Sequence, residues 1–182
     1  PVRVEVTPVT RAHFTPMTTV YFDSKLPEAV RRERLYAGDI FVFSPRASST
    51  ALASFAYELL TEAFKPVSPD IAQYAMQVEQ FVDVFGPVKP QFIHHPRTKQ
   101  LVRAMAAEFD CKLDETFIDV PRLRGVTSDG YLTSGVGYAH HAHRDTWYSA
   151  PMAQLNWWVP LNSFDSESSL AFLPRYTQRP VA

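Results

Sequence analysis

The sequence predicts an α+β protein, with its helices in the first part of the chain and most of its strands in the second. Two observations support this fold class. Between residues 48 and 109, apolar side chains recur at the three- and four-residue spacing of amphipathic helices. After Cys111, short runs alternate apolar and polar side chains in the manner of antiparallel strands. The 182 residues fit a single domain over positions 1–182, helix-rich over 1–110 and strand-rich over 111–182.

The first quarter of the chain is predicted to consist of short strands and turns. Strands are expected over residues 2–6, 18–22 and 39–43, with Gly38-Asp39 as the turn that leads into the third. A short helix is predicted over residues 27–36. Pro27 suits a first helical turn, and Glu28 suits the positive N-terminal end of the helix dipole.

Three longer amphipathic helices are predicted next. The first ends at Phe64 and is expected to be capped by Ser48 or Ser49. The second begins at residues 68–70 and is expected to stop at Gly86-Pro87. The third covers residues 97–109. We interpret their apolar stripes as core rather than as the lining of a cofactor groove. The stripe of the second helix comprises Ile71, Tyr74, Ala75, Val78, Phe81, Val82 and Phe85.

Strands are predicted over residues 115–120, 122–124, 155–161 and 170–173, with a turn at 128–130. The strand over 155–161 has the clearest alternation. One of its faces is entirely apolar, and the other carries Gln154, Asn156 and Trp158. This pattern fits the wall of a barrel that is packed on one side and lined by polar donors on the other. The alternative is that the two amides simply face solvent.

Composition disfavours several classes of function. Hydrophobic residues at 46% and charged residues at 20% are ordinary for a globular protein. The net charge of -1, without a long basic tract, disfavours a nucleic-acid partner. No apolar run approaches the roughly 20 residues of a membrane span. The single cysteine excludes an internal disulfide and suits a reducing compartment. We therefore expect a cytoplasmic protein without nucleic-acid or membrane partners.

The most informative segment contains three of the six histidines within residues 140–143, followed by Asp145. On an extended chain, His143 and Asp145 point to the same side, with their Cα atoms ~6.6 Å apart. An imidazole and a carboxylate that converge in this way suit Fe(II), Mn(II) or Zn(II). Adventitious metal binding by an exposed histidine cluster is the alternative. His141 shares the face but lies ~13 Å from Asp145, so a third ligand is expected from another strand.

This segment resembles the Fe(II)/2-oxoglutarate-dependent oxygenases, specifically their phytanoyl-CoA dioxygenase-like branch. The resemblance rests on AHHAHRDTWYSAPMAQLNWWVPL (139–161), an H-x-D metal pair that leads into a barrel strand. SSLAFLPRYTQRPV (168–181) resembles a later proline-containing turn of that branch. HPRTKQLVRAMAAEF (95–109) and TFIDVPRLR (116–124) stand in the expected order, so the similarity covers about residues 90–182.

The resemblance implies a double-stranded β-helix, which is a jelly-roll or cupin-like barrel, with its strands in 111–182 and helices of the N-terminal part as buttress. It implies Fe(II) held by two histidines and one carboxylate, with 2-oxoglutarate as co-substrate. By motif match, His143 and Asp145 are the first two iron ligands and therefore catalytic. The expected co-substrate contacts are Asn156, Trp158 and Arg175, and the expected substrate contacts are Tyr131 and Trp147.

The chain departs from the family pattern because no histidine follows Asp145, and the basic residue that anchors 2-oxoglutarate and the closing strands of the barrel are not found in it either. The barrel is therefore expected to be incomplete at the C-terminus, and three explanations stay open. The sequence is a fragment or lacks some segments, the protein is a relative that has lost its third ligand, or His13, His94 or His95 completes a different site. The first is favoured, since an open half-barrel would expose unpaired strand edges.

Two further arginine groups are weaker candidates. Arg122 and Arg124 share a predicted strand face and could hold a carboxylate, with pairing to Asp119 or Glu115 as the alternative. By the resemblance, Arg179 is expected near the co-substrate pocket, without an assigned partner.

The expected activity is hydroxylation of a small or medium organic substrate. A cupin-type isomerase or lyase that uses a divalent ion as a Lewis acid is one alternative. A non-catalytic binding relative is the other. A hydrolase is disfavoured, because the sequence contains no G-x-S-x-G nucleophile elbow.

Overall fold

The fold was analysed in a computed structural model, which describes residues 2–3, 18–132, 143–167 and 169–173. The chain divides into two compact units. The first comprises residues 1–45, 142–157 and 166–182, and the second comprises residues 46–141 and 158–165. The expectation of a single domain over the whole chain stays a prediction.

The first unit contains a small sheet and one helix. Strand β1 (Val2–Arg3) pairs antiparallel with β2 (Thr19–Phe22), and β2 pairs in parallel with β3 (Ile40–Val42). Helix α1 (Glu28–Tyr36) connects β2 to β3, as a parallel pair requires. These elements confirm the strands predicted over 18–22 and 39–43 and the helix predicted over 27–36. The rest of the strand predicted over 2–6 lies outside the described residues.

Side-chain contacts hold this sheet to its helix. The rings of Tyr21 and Phe41, which are opposite one another across the parallel pair, stack at 4.6 Å. Phe43 continues the aromatic row, with its ring 6.3 Å from that of Phe41. The guanidinium carbon of Arg31, a buried residue of α1, lies 5.9 Å from the Phe43 ring. The turn before β3 is confirmed as well, since Gly38 has φ 98°, which glycine adopts without strain.

The second unit is helical. Helix α2 (Ala47–Phe64) is followed by a 3₁₀ turn (Pro69–Ile71), α3 (Ala72–Ala75), α4 (Val78–His94) and α5 (Pro96–Glu108). Helices α4 and α5 both pack on α2. Among the described residues, every buried apolar side chain belongs to this unit, so the core of the protein lies around α2. None of the helices in the described residues is both long and apolar enough to cross a membrane.

Two predictions for the second amphipathic helix are wrong. The predicted single helix is interrupted at Met76 and Gln77, whose backbones are extended. Its apolar stripe is therefore divided: Phe81 and Phe85 are buried, whereas Tyr74 is 73% exposed. The helix also continues through Gly86-Pro87 to His94. A proline inside a helix costs about 3 kcal/mol, and α4 contains two, Pro87 and Pro90. The burial of Val88 and Phe92 beyond Pro87 acts against that cost.

The strands predicted over 115–120, 122–124, 155–161 and 170–173 are absent from the structure of those segments. Their apolar side chains are largely exposed, including Phe117, Ile118, Trp157, Phe172 and Leu173. A strand forms only when it pairs with another strand through backbone hydrogen bonds. The alternation of apolar and polar residues within one segment does not provide that partner. The turn predicted over 128–130 is confirmed, since Tyr131 N–H donates to Ser128 O at 3.1 Å. The jelly-roll barrel itself stays a prediction.

A carboxylate at the N-terminus of α2 links that helix to the end of α5. Glu108 accepts a hydrogen bond from Ser48 N–H at 3.1 Å and another from the Ser48 hydroxyl. The N-cap residue is Arg46, so the predicted capping position at Ser48 or Ser49 is wrong. Ser49 still contributes, because its hydroxyl accepts from Arg46 N–H at 3.0 Å. Hydrogen bonds from Ser48 hold the pKa of Glu108 below its ordinary value.

We expect this carboxylate to make the fold acid-sensitive. A carboxyl whose pKa is lowered by folding stabilises the protein above its unfolded-state pKa. That contribution is lost as the pH falls through the lowered folded-state pKa. Glu108→Gln should therefore lower the urea midpoint at neutral pH, and its deficit against the unsubstituted protein should shrink at acid pH. The exposed Glu62 on α2 provides the control, Glu62→Gln. A deficit that is equal at both pH values would contradict this expectation.

Within the described part of the core, the Thr98 hydroxyl lacks a hydrogen-bond partner. Thr98 in the first turn of α5 is fully buried, and its hydroxyl makes no hydrogen bond to any described residue. An unsatisfied buried hydroxyl costs about 1–3 kcal/mol, and valine has nearly the same shape. Thr98→Val should therefore raise the free energy of unfolding by about 1 kcal/mol, measured by urea denaturation. The exposed Thr61→Val on α2 is the matched control and should change stability little. A loss of stability in Thr98→Val would show that the hydroxyl has a partner after all.

Candidate metal centre

The structure brings the two predicted ligands together. Arg144 is extended, with φ -111° and ψ 141°, so the side chains on either side of it lie on the same side of the chain. His143 Nε2 and Asp145 Oδ1 are 3.4 Å apart. Both side chains remain partly open to solvent, at 31% and 42% exposure, so an ion has access to the pair.

The chain turns immediately after this pair. A 3₁₀ turn (Asp145–Tyr148) begins at Asp145, and Trp147 N–H donates to Arg144 O at 2.9 Å. Ser149 ends the turn in the left-handed conformation, with φ 68°. The Arg144 guanidinium carbon lies 5.9 Å from the Trp147 ring, and Trp147 is 46% exposed. The candidate substrate residue Trp147 thus stands beside Arg144, one turn from the histidine–carboxylate pair.

Asn156 is the next residue that the structure adds to the pair. Its Nδ2 donates to Asp145 Oδ2 at 2.6 Å. Gln154 Nε2 in turn donates to Asn156 Oδ1 at 2.9 Å. The sequence placed Gln154 and Asn156 on one strand face, and their side chains do meet, although this segment has no regular strand. The link from Asn156 to Asp145 was not anticipated, because sequence spacing carries no signal of a contact across eleven residues.

The pair fits a divalent metal ion. Two ligands at right angles, each at about 2.1 Å from a metal, lie about 3.0 Å apart. The separation of 3.4 Å between His143 Nε2 and Asp145 Oδ1 is close to this value. One imidazole nitrogen and one carboxylate oxygen are the donor types that Fe(II) takes in non-haem oxygenases. Among the described parts of the chain, no group of three histidine, cysteine or carboxylate side chains is arranged to hold a metal.

Two of the other histidines that could complete a site, His94 and His95, belong to the helical unit. His95 belongs to the helical unit, where its Nδ1 accepts from Arg97 N–H at 3.1 Å and caps α5. Its ring lies 4.7 Å from that of Phe55, which fits the helix-entry role expected as the alternative to a ligand. His94 is the last residue of α4. His13 and His141 lie outside the described residues.

The remaining candidates are divided between the two units. Trp158 belongs to the helical unit, where its ring meets the Phe164 ring edge-on at 5.1 Å. Arg122 lies 3.8 Å from Asp119, which is the alternative pairing expected from the sequence. Arg124 is exposed. Arg175 and Arg179 lie outside the described residues, so their assignment to the co-substrate stays a prediction.

Tyr131 has a structural contact in the helical unit. Its hydroxyl donates to Met76 O at 2.8 Å, at the interruption between α3 and α4, and its ring meets the Phe81 ring edge-on at 5.6 Å. Burial raises the pKa of Tyr131, and the Glu79 carboxylate raises it further, so the phenol stays protonated and able to donate. Ser128 joins the same turn to α3, because its N–H donates to Gln73 Oε1 at 3.1 Å.

Comparisons with protein-family models, with curated proteins and with solved structures found no match to this chain.

We expect Tyr131→Phe to lower the thermal midpoint of unfolding, because Met76 O loses its donor while the ring contact with Phe81 is kept. Differential scanning calorimetry measures the change. Tyr74→Phe is the matched control, since Tyr74 is exposed and its hydroxyl lies 3.3 Å from Ser128 Oγ, which also has Gln73 as a partner. If Tyr131→Phe leaves the thermal midpoint unchanged, the result would argue against a structural role for the Tyr131 hydroxyl and favour its role as a substrate contact.

Proposed function

We propose that the protein is a non-haem Fe(II)/2-oxoglutarate-dependent oxygenase that hydroxylates a small or medium organic substrate. The observation that carries the proposal is the convergence of His143 Nε2 and Asp145 Oδ1 at 3.4 Å across an extended Arg144. This geometry belongs to the H-x-D segment on which the resemblance to the phytanoyl-CoA dioxygenase-like branch rests. Bound Fe(II) and 2-oxoglutarate would together supply the activation of O₂ that hydroxylation requires.

His143 and Asp145 would hold the metal as a neutral imidazole and an ionised carboxylate. A ligating nitrogen must be free of its proton, so His143 carries its proton on Nδ1 when Nε2 faces the ion. Asp145 supplies a negative charge that partly neutralises a divalent cation. Its second oxygen accepts a hydrogen bond from Asn156 Nδ2 at 2.6 Å.

The flanking side chains would serve the organic substrate. Trp147 is half-exposed and offers an apolar surface one turn from the ligand pair. The nearby Arg144 places a positive charge beside that ring. An exposed aromatic ring suits a substrate that has an apolar part.

The proposal is tested by anaerobic titration of the purified protein with Fe(II) and then with 2-oxoglutarate. A visible metal-to-ligand charge-transfer band should appear only when both are present. His143→Ala and Asp145→Ala should each abolish the band and weaken Fe(II) binding more than about 100-fold, since even outer residues of metal sites contribute 10–100-fold. Asp83→Ala is the control, because Asp83 is an exposed carboxylate on α4 and should leave the band unchanged.

Three results would contradict the proposal. A band that persists in His143→Ala would place the iron elsewhere. Tight metal binding without a band would favour redox-neutral Lewis-acid chemistry of the cupin type. An absence of specific metal binding would favour a non-catalytic relative.

A further inference from the structure

The two oxygens of Asp145 have different partners. Oδ1 faces His143 Nε2 at 3.4 Å, whereas Oδ2 accepts from Asn156 Nδ2 at 2.6 Å. A free aspartate can present either oxygen, or both, to an ion by rotating its carboxylate. The bond from Asn156 restrains that rotation and leaves Oδ1 as the oxygen directed to the side of His143.

Gln154 determines which end of the Asn156 amide meets Asp145. An asparagine side chain has a donor end and an acceptor end, and rotation by half a turn exchanges them. The Gln154 amide donates to Asn156 Oδ1 at 2.9 Å, so the donor end of Asn156 is left to face the carboxylate. The hydrogen bonds therefore run in one direction, from Gln154 through Asn156 to Asp145.

The backbone at the start of this series is itself anchored. Gln154 N–H donates to Pro151 O at 3.0 Å, which closes a turn. The Tyr36 hydroxyl, at the end of α1, donates to Ala153 O at 2.8 Å. Gln154 thus extends from a segment that is tied to a helix of the same unit.

We propose that Gln154 and Asn156 are positioning residues of the metal site, which hold Asp145 so that Oδ1 alone is presented to the ion. The inference rests on the proposed function, since it assigns roles toward the same metal. It differs from the expectation that Asn156 contacts 2-oxoglutarate. Outer residues that orient metal ligands typically contribute 10–100-fold to metal affinity, so the effect is large enough to measure.

The test is a titration with Mn(II) alone, which is a redox-stable probe. Electron paramagnetic resonance measures the concentration of free Mn(II) at each step of the titration. Asn156→Leu should weaken Mn(II) binding about 10–100-fold. Gln154→Leu should weaken it less, because Asn156 can still donate part of the time. Gln154→Glu should weaken it at least as much as Asn156→Leu. A carboxylate at 154 accepts from Asn156 and turns the acceptor end of that amide toward Asp145.

A variant that carries both Gln154→Leu and Asn156→Leu separates a positioning role from a general structural effect. If Gln154 acts through Asn156, Gln154→Leu should cause no further loss of affinity in the Asn156→Leu background. The thermal midpoints of the single variants should stay close to that of the unsubstituted protein. Gln100→Leu, at an exposed glutamine on α5, is the matched control and should bind Mn(II) normally.

The possible failures are distinguishable. If the unsubstituted protein binds Mn(II) and the Gln154→Glu variant binds it equally well, the positioning role is overturned and the proposed function is not. Additive losses in the double variant would also overturn it. An unsubstituted protein that binds no Mn(II), or binds it independently of His143, would overturn both this inference and the proposed function.

Discussion

The aromatic junction around Phe55 is the contact on which the helical unit depends. The Phe55 ring lies 6.4 Å from Phe92 near the end of α4 and 4.7 Å from His95 at the start of α5. The Arg97 guanidinium carbon lies 4.6 Å from the centroid of the same ring, and Arg97 also pairs with Glu58 on α2 at 3.2 Å. One side chain of α2 therefore fixes both the end of one helix and the beginning of the next. Because α4 and α5 both pack on α2, this junction sets the arrangement of the core.

The candidate metal centre depends on local geometry instead. His143 and Asp145 are brought together by one extended residue between them, and Asp145 is linked to Asn156 by a hydrogen bond within the same unit. Few buried apolar contacts are needed for such an arrangement. The pair of side chains can therefore meet in a unit whose described residues include no buried apolar side chain.

Sequence patterns predicted the parts of the structure that local rules determine. The spacing of apolar residues located α2 and α5, and the residues around Pro27 and Gly38 located α1 and the turn before β3. The two-residue spacing of His143 and Asp145 on an extended chain also predicted that their side chains lie on the same side. The predictions that were wrong concern features decided by distant partners. The continuation of α4 past Pro87 depends on packing against α2, and the predicted strands after Cys111 depend on neighbours that alternation alone cannot supply.

The two most informative carboxylates of the chain show how contacts distinguish a structural role from a ligand role. Glu108 receives two hydrogen bonds from Ser48 at a helix N-terminus, which satisfies it within the fold. Asp145 has a different partner on each oxygen: Asn156 Nδ2 donates to Oδ2 at 2.6 Å, and His143 Nε2 lies 3.4 Å from Oδ1. Charge-assisted bonds between nitrogen and a carboxylate are about 2.7–2.9 Å long, so the contact from Asn156 is the tighter of the two. Both oxygens of Asp145 therefore have partners among side chains of its own unit, and one of those partners is the histidine that the proposed metal site needs.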